Sequence, residues 1–421
     1  MSKHLPLERS SIQSAHELIK SYIHETPVLT STTLNGIAST PQAPDALIGT
    51  PFEGQPPARP KINFFFKCEN YQKIGAFKSR GAFHALARLS DEELRNGVVT
   101  HSSGNHAQAL ALAARTRGIP AYIVMPTIST PSKIAGTKGY GAEVIFSGST
   151  SEEREAVVKG VIERTGAILV PPYDHPNIIL GQGTLALELE KQVQEMVSKE
   201  PKLSVHGQLN HHTNGQVKGN SMSNGHNSSQ TRAGHLDAVI APCGGGGMLS
   251  GVATAFYGTG TYVFGAEPSF EGADDGRRGL AAGKRIESVK TLTIADGLRT
   301  PLGAIPWTII SNREKLRGMF AVSEKQILSA MRLVLERIKI VVEPSAVVGL
   351  AVCLYDEEFR GIVEREGGPE GWDIGVVLSG GNTTVEAIGK MFAAGDEGQK
   401  AERMVGTVGM NGRRVAENVA G

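Results

Sequence analysis

Cysteine is scarce: Cys68, Cys243 and Cys353 are the only three in 421 residues. None belongs to a CxxC pair, which excludes a disulfide framework and a zinc ribbon. An excess of charge of one sign is also lacking, since 43 Lys+Arg face 42 Asp+Glu. The chain therefore has no global field to draw nucleic acid or an anionic membrane, and neither is expected as a partner. No run of ~18 apolar residues exists to span a bilayer. Met1–Ser11 carries Lys3, His4, Glu8 and Arg9 and no apolar secretory core. These absences point to a soluble protein of a reducing compartment, the cytoplasm.

What is present is a large apolar fraction, 40% of the chain, enough for an extensive core. Glycine is abundant at 51 residues, well above the usual share of ~7%. That excess raises the question of where backbone turns sharply or closely approaches a ligand.

Short apolar runs at Ile62–Phe66, Gly97–Thr100, Ala121–Met125, Ala142–Phe146, Ala167–Val170, Asp237–Ala241, Tyr262–Ala266 and Gly375–Leu378 read as strands. Several are nearly continuous in apolar residues, as strands buried on both faces are. Helical patterns lie between them. In Glu324–Ile338 the residues Ile327, Ala330, Met331, Val334, Leu335 and Ile338 follow the helical period, and Ser323 with Gln326 supplies a capping box. Strand–helix alternation on this scale predicts an α/β fold with parallel sheet.

Two segments break the pattern. Thr40–Pro60 holds six prolines and reads as a surface excursion. Gly207–Gly234 has five Gly, five Asn, four Ser and no acid or aromatic, a composition that cannot bury a core and reads as a disordered insertion. His206, His211, His212 and His226 cluster here; a metal tract is conceivable, but a solvated loop explains them more simply. The sequon at Asn227 needs a secretory route for which the sequence gives no sign.

Four segments carry chemistry. In Lys73-Ile74-Gly75-Ala76-Phe77-Lys78-Ser79-Arg80-Gly81-Ala82, Lys78 opens an apolar helical run after a glycine turn. A lysine among apolar neighbours loses its proton readily and can form a Schiff base; an ordinary lysine snorkelling from a helix end is the plain alternative. His101-Ser102-Ser103-Gly104-Asn105-His106 lies between a strand and a helix, where amides and hydroxyls suit a carboxylate. Cys243-Gly244-Gly245-Gly246-Gly247-Met248 follows a strand and precedes a helix, so its amides can fold round an anion. The spacing fits neither GxGxxG nor the Walker pattern, which points to a phosphorylated cofactor other than a nucleotide. Ser379, after the strand Gly375–Leu378, can point a hydroxyl into the cleft of an α/β sheet.

Together these segments resemble the pyridoxal-phosphate (PLP) enzymes of the serine racemase and serine/threonine dehydratase family, of fold type II. The resemblance runs from Thr26-Pro27-Val28-Leu29-Thr30 to Asn382 and is nearest to the eukaryotic racemases, through the His101–His106 loop, Gly244–Leu249 and Thr293-Ile294-Ala295-Asp296-Gly297. It implies a tryptophan-synthase-β-like architecture: two open, twisted, mostly parallel sheets with flanking helices. A large domain would take residues 1–97 and 172–421, and a small mobile domain residues 98–171.

By the same resemblance Lys78 would hold PLP and take the substrate's α-proton, with Phe77 beside the ring. Asn105 would meet the ring's 3-oxygen, Gly244, Gly245, Gly246, Gly247 and Met248 the phosphate, and Ser379 the pyridine nitrogen. Ser102, Ser103, Asn105 and His106 would receive the amino-acid substrate, with Ser103 as a second proton carrier opposite Lys78, as inversion at Cα requires. Glu267, the Ala273 carbonyl and Asp275 would bind Mg²⁺ or Ca²⁺, although two extra residues separate Glu267 from Ala273. Ser31, Thr32, Lys73, Gln108, Tyr140, Lys339 and Asn382 match positions that hold ATP as an activator at a homodimer interface, while Gln13, Thr33 and Ile74 depart from the pattern. Ala76 replaces a usual serine. Pro172-Tyr173-Asp174-His175-Pro176 looks like the dehydratases' aromatic-Asp motif, which tilts the expectation towards elimination. The implied activity is serine racemisation together with elimination from serine or threonine. The alternatives are a dedicated threonine, serine or 3-hydroxyaspartate dehydratase, and a silent amino-acid- or ATP-binding protein.

Overall fold

The computed structural model describes residues 4–102, 104–129, 131–148, 150–207 and 233–394. Ser103, His211, His212, His226 and the sequon at Asn227 lie outside the described residues, as does most of the insertion.

Among the described residues ten strands form two sheets: β1 (Val28–Leu29), β2 (Ile62–Cys68), β3 (Val98–His101), β4 (Ala121–Pro126), β5 (Glu143–Ser147), β6 (Ile168–Leu169), β7 (Ala238–Pro242), β8 (Tyr262–Pro268), β9 (Gly318–Val322) and β10 (Trp372–Leu378). The larger sheet has the order β1-β2-β10-β7-β8-β9, and the smaller β5-β4-β3-β6. The edge strand β1 runs antiparallel, and the other pairings are parallel. The parallel pairing is what the strand–helix alternation predicts, and the two mostly parallel sheets are what the family resemblance implies.

β7 and β10 are buried at every residue, because helices cover both faces of the sheet. Phe64, Phe66, Ile240, Phe264 and Val376 face one core with the helices Glu324–Leu333 and Val348–Tyr355. Phe65, Val239, Val263 and Val377 face the other, under Pro176–Lys199 and Gly247–Phe256. A third core lies between the smaller sheet and the helices Lys78–Ala87 and Asn105–Arg117. Helix Pro176–Lys199 packs closely on Lys78–Ala87, since a Cβ at Gly181 would stand 2.7 Å from the Arg80 carbonyl.

The structure differs from the sequence reading in detail. β1 and β9 are absent from the strands that apolar runs mark. β1 has two residues, too short to show a period, and β9 opens with glycine after the charged stretch Arg313–Arg317. The periodic segment Glu324–Ile338 keeps α geometry only to Leu333 and widens to a π turn at Val334–Ile338. Lys339 ends it at φ +68°, a left-handed conformation unusual outside glycine.

Candidate active site

The chemistry-bearing segments converge at the C-terminal ends of the strands, where ligands of open α/β sheets sit. Lys78 opens its helix after a tight turn in which Ile74 and Gly75 have φ +61° and +74°. Ala76 then bridges to Gly380, and the Phe77 amide donates to the Ser379 carbonyl at 3.1 Å. These contacts bring Phe77, Lys78 and Ser379 together. The Lys78 Nζ donates to the Pro172 carbonyl at 2.8 Å and lies 5.1 Å from the Phe77 ring centre. Burial disfavours its ammonium and brings the amine down to about 8.

The rotational setting of that helix is fixed two residues later. Arg80 is fully buried and uses all five donors, to both oxygens of Glu69, both of Glu188 and the Thr184 hydroxyl. Lys67 completes the group through Glu188, Gln192 and the Thr26 carbonyl. Burial works to raise the Glu188 carboxyl, but Arg80 and Lys67 hold it well below the usual range.

Across the cleft, β3 ends at His101, and the Ser102 hydroxyl accepts the Gly104 amide at 3.3 Å. Asn105 opens the next helix. Its Nδ2 donates to Glu343 Oε1 at 2.8 Å, and its Oδ1 accepts from Asn382 Nδ2 at 2.7 Å. His106 Nε2 donates to the Val170 carbonyl at 3.1 Å, while its Nδ1 is buried without a partner among the described residues. Burial, then nearby Lys78, holds this ring neutral, down to about 3.

Gly244–Gly247 form a buried cradle between β7 and helix Gly247–Phe256. Gly246 has φ +84°, where a side chain would be strained and would meet Leu302 and Pro306. A Cβ at Gly245 would fall 2.3 Å from the Tyr173 ring. Among the described residues, the amides of Gly244, Gly245 and Gly246 donate to no group of the chain. Met248 is buried at the start of the helix. Buried amides at a helix N-terminus and a lysine of lowered basicity, joined through the Pro172–Tyr173 segment, fit PLP: the amides would take the phosphate and the lysine the aldehyde carbon.

Glu267 and Asp275 form a second buried acidic site. Glu267 accepts the Gly276 and Arg277 amides, both at 2.9 Å, and Asp275 Oδ2 accepts the Leu302 amide at 2.9 Å. Between Glu267 and Ala273 the chain makes the tight turn Phe270–Gly272, where Glu271 and Gly272 take φ of +49° and +79°. Burial raises both carboxyls, Asp275 to about 6, and Asp275 pushes Glu267 further up. Two buried carboxyls raised by burial, one of them further raised by the other, fit a hard divalent cation.

The candidate ATP residues are spread more widely. Asn382 ties Asn105 to the Ile74 carbonyl and so touches the cleft directly. Lys73 lies in the turn before Lys78, with its carbonyl bonded to Ser79. Gln108 packs against Gly136, and Tyr140 follows the helix Pro131–Gly139. Ser31 caps the helix Thr32–Ser39, and Lys339 donates to the Glu336 carbonyl. His206 belongs to a different cluster, with Asp237 and Asp373 at the N-terminal ends of β7 and β10. The two carboxylates already accept from His206, Ser204, Asn63 and backbone amides.

The pyridoxal-phosphate dependent enzyme family matches residues 44–206 and 221–380. The chain belongs to this family. Among PLP-dependent relatives, the serine racemase of Oryza sativa subsp. indica is 39% identical over 380 residues, covering 90% of this chain and 91% of that one. The L-threo-3-hydroxyaspartate ammonia-lyase of Saccharomyces cerevisiae is 35% identical, covering 92% of this chain and 97% of that one. The solved structure of maize serine racemase superposes with a TM-score of 0.71 at 35% identity, covering 94% of this chain and 99% of that one. The chain is thus a PLP-dependent enzyme of the racemase and ammonia-lyase group.

Sequence reasoning missed Glu343 and Lys133. Glu343 is a buried acid between Val342 and Pro344, and its one signal was a lone carboxylate in an apolar run. Burial, then Asp296, pushes it up to about 7. Lys133, beside the smaller sheet, pairs with Asp296 on the larger-sheet side; nothing local marks it.

Proposed function

We propose that this enzyme racemises serine and eliminates water and ammonia from serine or threonine. The observation that carries the reading is the Lys78 amine, lowered to about 8 by burial, 5.1 Å from the Phe77 ring centre and bonded to the Pro172 carbonyl, next to the Tyr173 ring that lies on the glycine cradle. The named relatives, serine racemases and hydroxyaspartate ammonia-lyases, supply the reaction class.

PLP, when bound, supplies an electron sink for the pair left at Cα. Lys78 would hold it covalently, with Phe77 beside the ring and Asn105 and Ser379 at its polar edge. Gly244–Gly247 and Met248 would take the phosphate. Ser379 is a neutral hydroxyl and would not keep a pyridine nitrogen protonated as a carboxylate would, which favours proton exchange and β-elimination.

The amides and hydroxyls at Ser102, Asn105 and His106 would receive the substrate carboxylate, beside the unpartnered His106 Nδ1. The neutral Lys78 amine takes the Cα proton. For racemisation, Ser103 would return a proton on the opposite face. For elimination, the C–O bond at Cβ breaks and the hydroxyl leaves as water. Hydrolysis of the released enamine then gives ammonia and pyruvate from serine, or 2-oxobutyrate from threonine. Glu267, Asp275 and the Ala273 carbonyl would hold Mg²⁺ or Ca²⁺. ATP would bind near Asn382, Lys73, Gln108 and Tyr140, with Ser31, Thr32 and Lys339 completing its site in a homodimer. Residues 98–171 would close over the substrate. Three free, buried thiols suit work in the cytoplasm.

A second reading, a dehydratase for 3-hydroxyaspartate or threonine without racemase activity, is favoured by the Tyr173-Asp174 segment. The deciding experiment is a product balance with PLP, Mg²⁺ and L-serine, with and without ATP. D-serine comparable with pyruvate supports the racemase. Pyruvate alone supports the dehydratase, and turnover of neither amino acid nor 3-hydroxyaspartate defeats both.

A further inference from the structure

The segment joining β6 to the helix Pro176–Lys199 binds a different part of the site at nearly every residue. The Val170 carbonyl accepts from His106 at 3.1 Å, and the Pro172 carbonyl accepts from Lys78 at 2.8 Å. The Tyr173 ring lies on Gly245, and its backbone lies against Gly247. Asp174 Oδ2 accepts the Ala304 amide at 2.9 Å, and its Oδ1 accepts the Ile305 amide at 2.8 Å. Gly303 donates to the Gly245 carbonyl at 3.2 Å, and a Cβ there would stand 2.7 Å from the Asp174 carboxyl carbon.

These contacts close a ring. Tyr173 packs on Gly245, Gly245 binds Gly303, and the next two residues bind Asp174, the neighbour of Tyr173. The carboxylate caps the helix Ala304–Ile310, but it is supplied by a segment 130 residues away in sequence. A cap that served only its helix could come from the preceding turn, as most do. Here both oxygens are used to fix the Pro172–Tyr173 strap between the lysine and the phosphate cradle.

We propose that Asp174 is a positioning residue that holds this strap closed over the glycine cradle and thereby sets how long PLP is retained. The inference rests on the cradle's being the PLP phosphate site. Loss of the carboxylate frees the strap, lifts Tyr173 from Gly245 and withdraws the Pro172 carbonyl from Lys78.

The test uses full-length holoenzyme. PLP release is followed by absorbance after dilution into an apo-acceptor, and the melting temperature is measured alongside. D174A releases PLP about tenfold faster, the size expected from losing two charge-assisted hydrogen bonds partly replaced by water. D174N falls between, because its single carbonyl oxygen can take one of the two amides. At saturating PLP, kcat falls less than PLP affinity does. S323A removes a capping box on a helix away from the strap and serves as the control: it lowers the melting temperature without changing release. Wild-type release rates in both Asp174 variants, with melting lowered as in S323A, would overturn the proposal and leave a helix cap only. If D174A does not fold, D174N decides. A wild-type protein that takes up no PLP instead defeats the cofactor reading on which this rests.

Discussion

Two groups of buried charges surround the lysine helix and its cleft, and they are built on opposite principles. Lys67, Glu69, Arg80 and Glu188 form a neutral quartet, two cations and two anions. The donors of its guanidinium and ammonium are all used inside the chain. The charges lining the cleft are not matched in this way. Among the described residues Lys78 bonds only a carbonyl and Glu343 is held by an amide, and in the second acidic site Glu267 faces Asp275. Burying a charge without its counter-ion is expensive, so groups left like this shift towards their neutral forms, and those of the cleft do; in the quartet burial lowers Lys67 as well, but Glu69 and Glu188 oppose it and hold Arg80 charged. A saturated buried quartet orients a helix; an unsaturated one marks where ligands belong.

The comparison is tested most severely within the first turn of one helix. Lys78→Ala should lower turnover by roughly a thousandfold or more, while stability in urea stays level or rises, because a desolvated cation has gone. Substantial turnover by the folded variant would refute the lysine's role. Arg80→Met should do the reverse in kind. It takes the paired cation from Glu69 and leaves Glu188 to Lys67 and His16, and should cost about 3–5 kcal/mol in unfolding free energy. A loss under ~1 kcal/mol would show that the quartet does not hold the helix.

Glu343 gives a pH test. Its carboxyl is raised to about 7 by burial and by Asp296, opposed by the Asn105 amide and by Lys133. A raised carboxyl contributes its stability below the unfolded value and loses it as pH rises through about 7. Glu343→Gln keeps an acceptor for Asn105 and never ionises. Its stability relative to wild type should therefore grow as pH rises from the ordinary carboxylate range to about 7, then level off. The slope should reach at most about 1.4 kcal/mol for each tenfold fall in proton concentration. A pH-independent difference would contradict this assignment. A smaller effect is expected at Glu267 and Asp275. Mg²⁺ or Ca²⁺ at ~100 times its Kd should add about 2.7 kcal/mol to the stability of chelator-treated protein, and Glu267→Gln should abolish the gain. The smallest concerns the exposed pair Lys20–Glu17, whose removal should shift the urea midpoint no more than any surface substitution does. A larger loss would mean that exposure alone does not separate working charges from decorative ones.

Much of this was legible in the sequence where the signal was local. β7 and β10 read as strands because every residue is buried, and the lysine and glycine segments read as sites because their residue types are contiguous. Distant pairing was not legible. Arg80 meets Glu188 across 108 residues, and Asp174 meets Ile305 across 131. Nothing in either neighbourhood announces its partner. Glu343 escaped notice because a single acid in an apolar run has no period to betray its direction. β9 was hidden by its glycine start.

The order of strands has a consequence for biosynthesis. β10, last of the strands among the described residues, lies between β2 and β7 in the middle of the larger sheet. It also leads into Ser379 and Gly380, against which Phe77 and Ala76 are docked. A growing chain that has emerged from the ribosome only as far as β9 therefore has a sheet with a missing centre and a lysine turn with nothing to rest on. On the proposed site the cofactor would be loaded only after residue 380 has been made, and nascent fragments ending earlier should be clients of chaperones rather than partial catalysts.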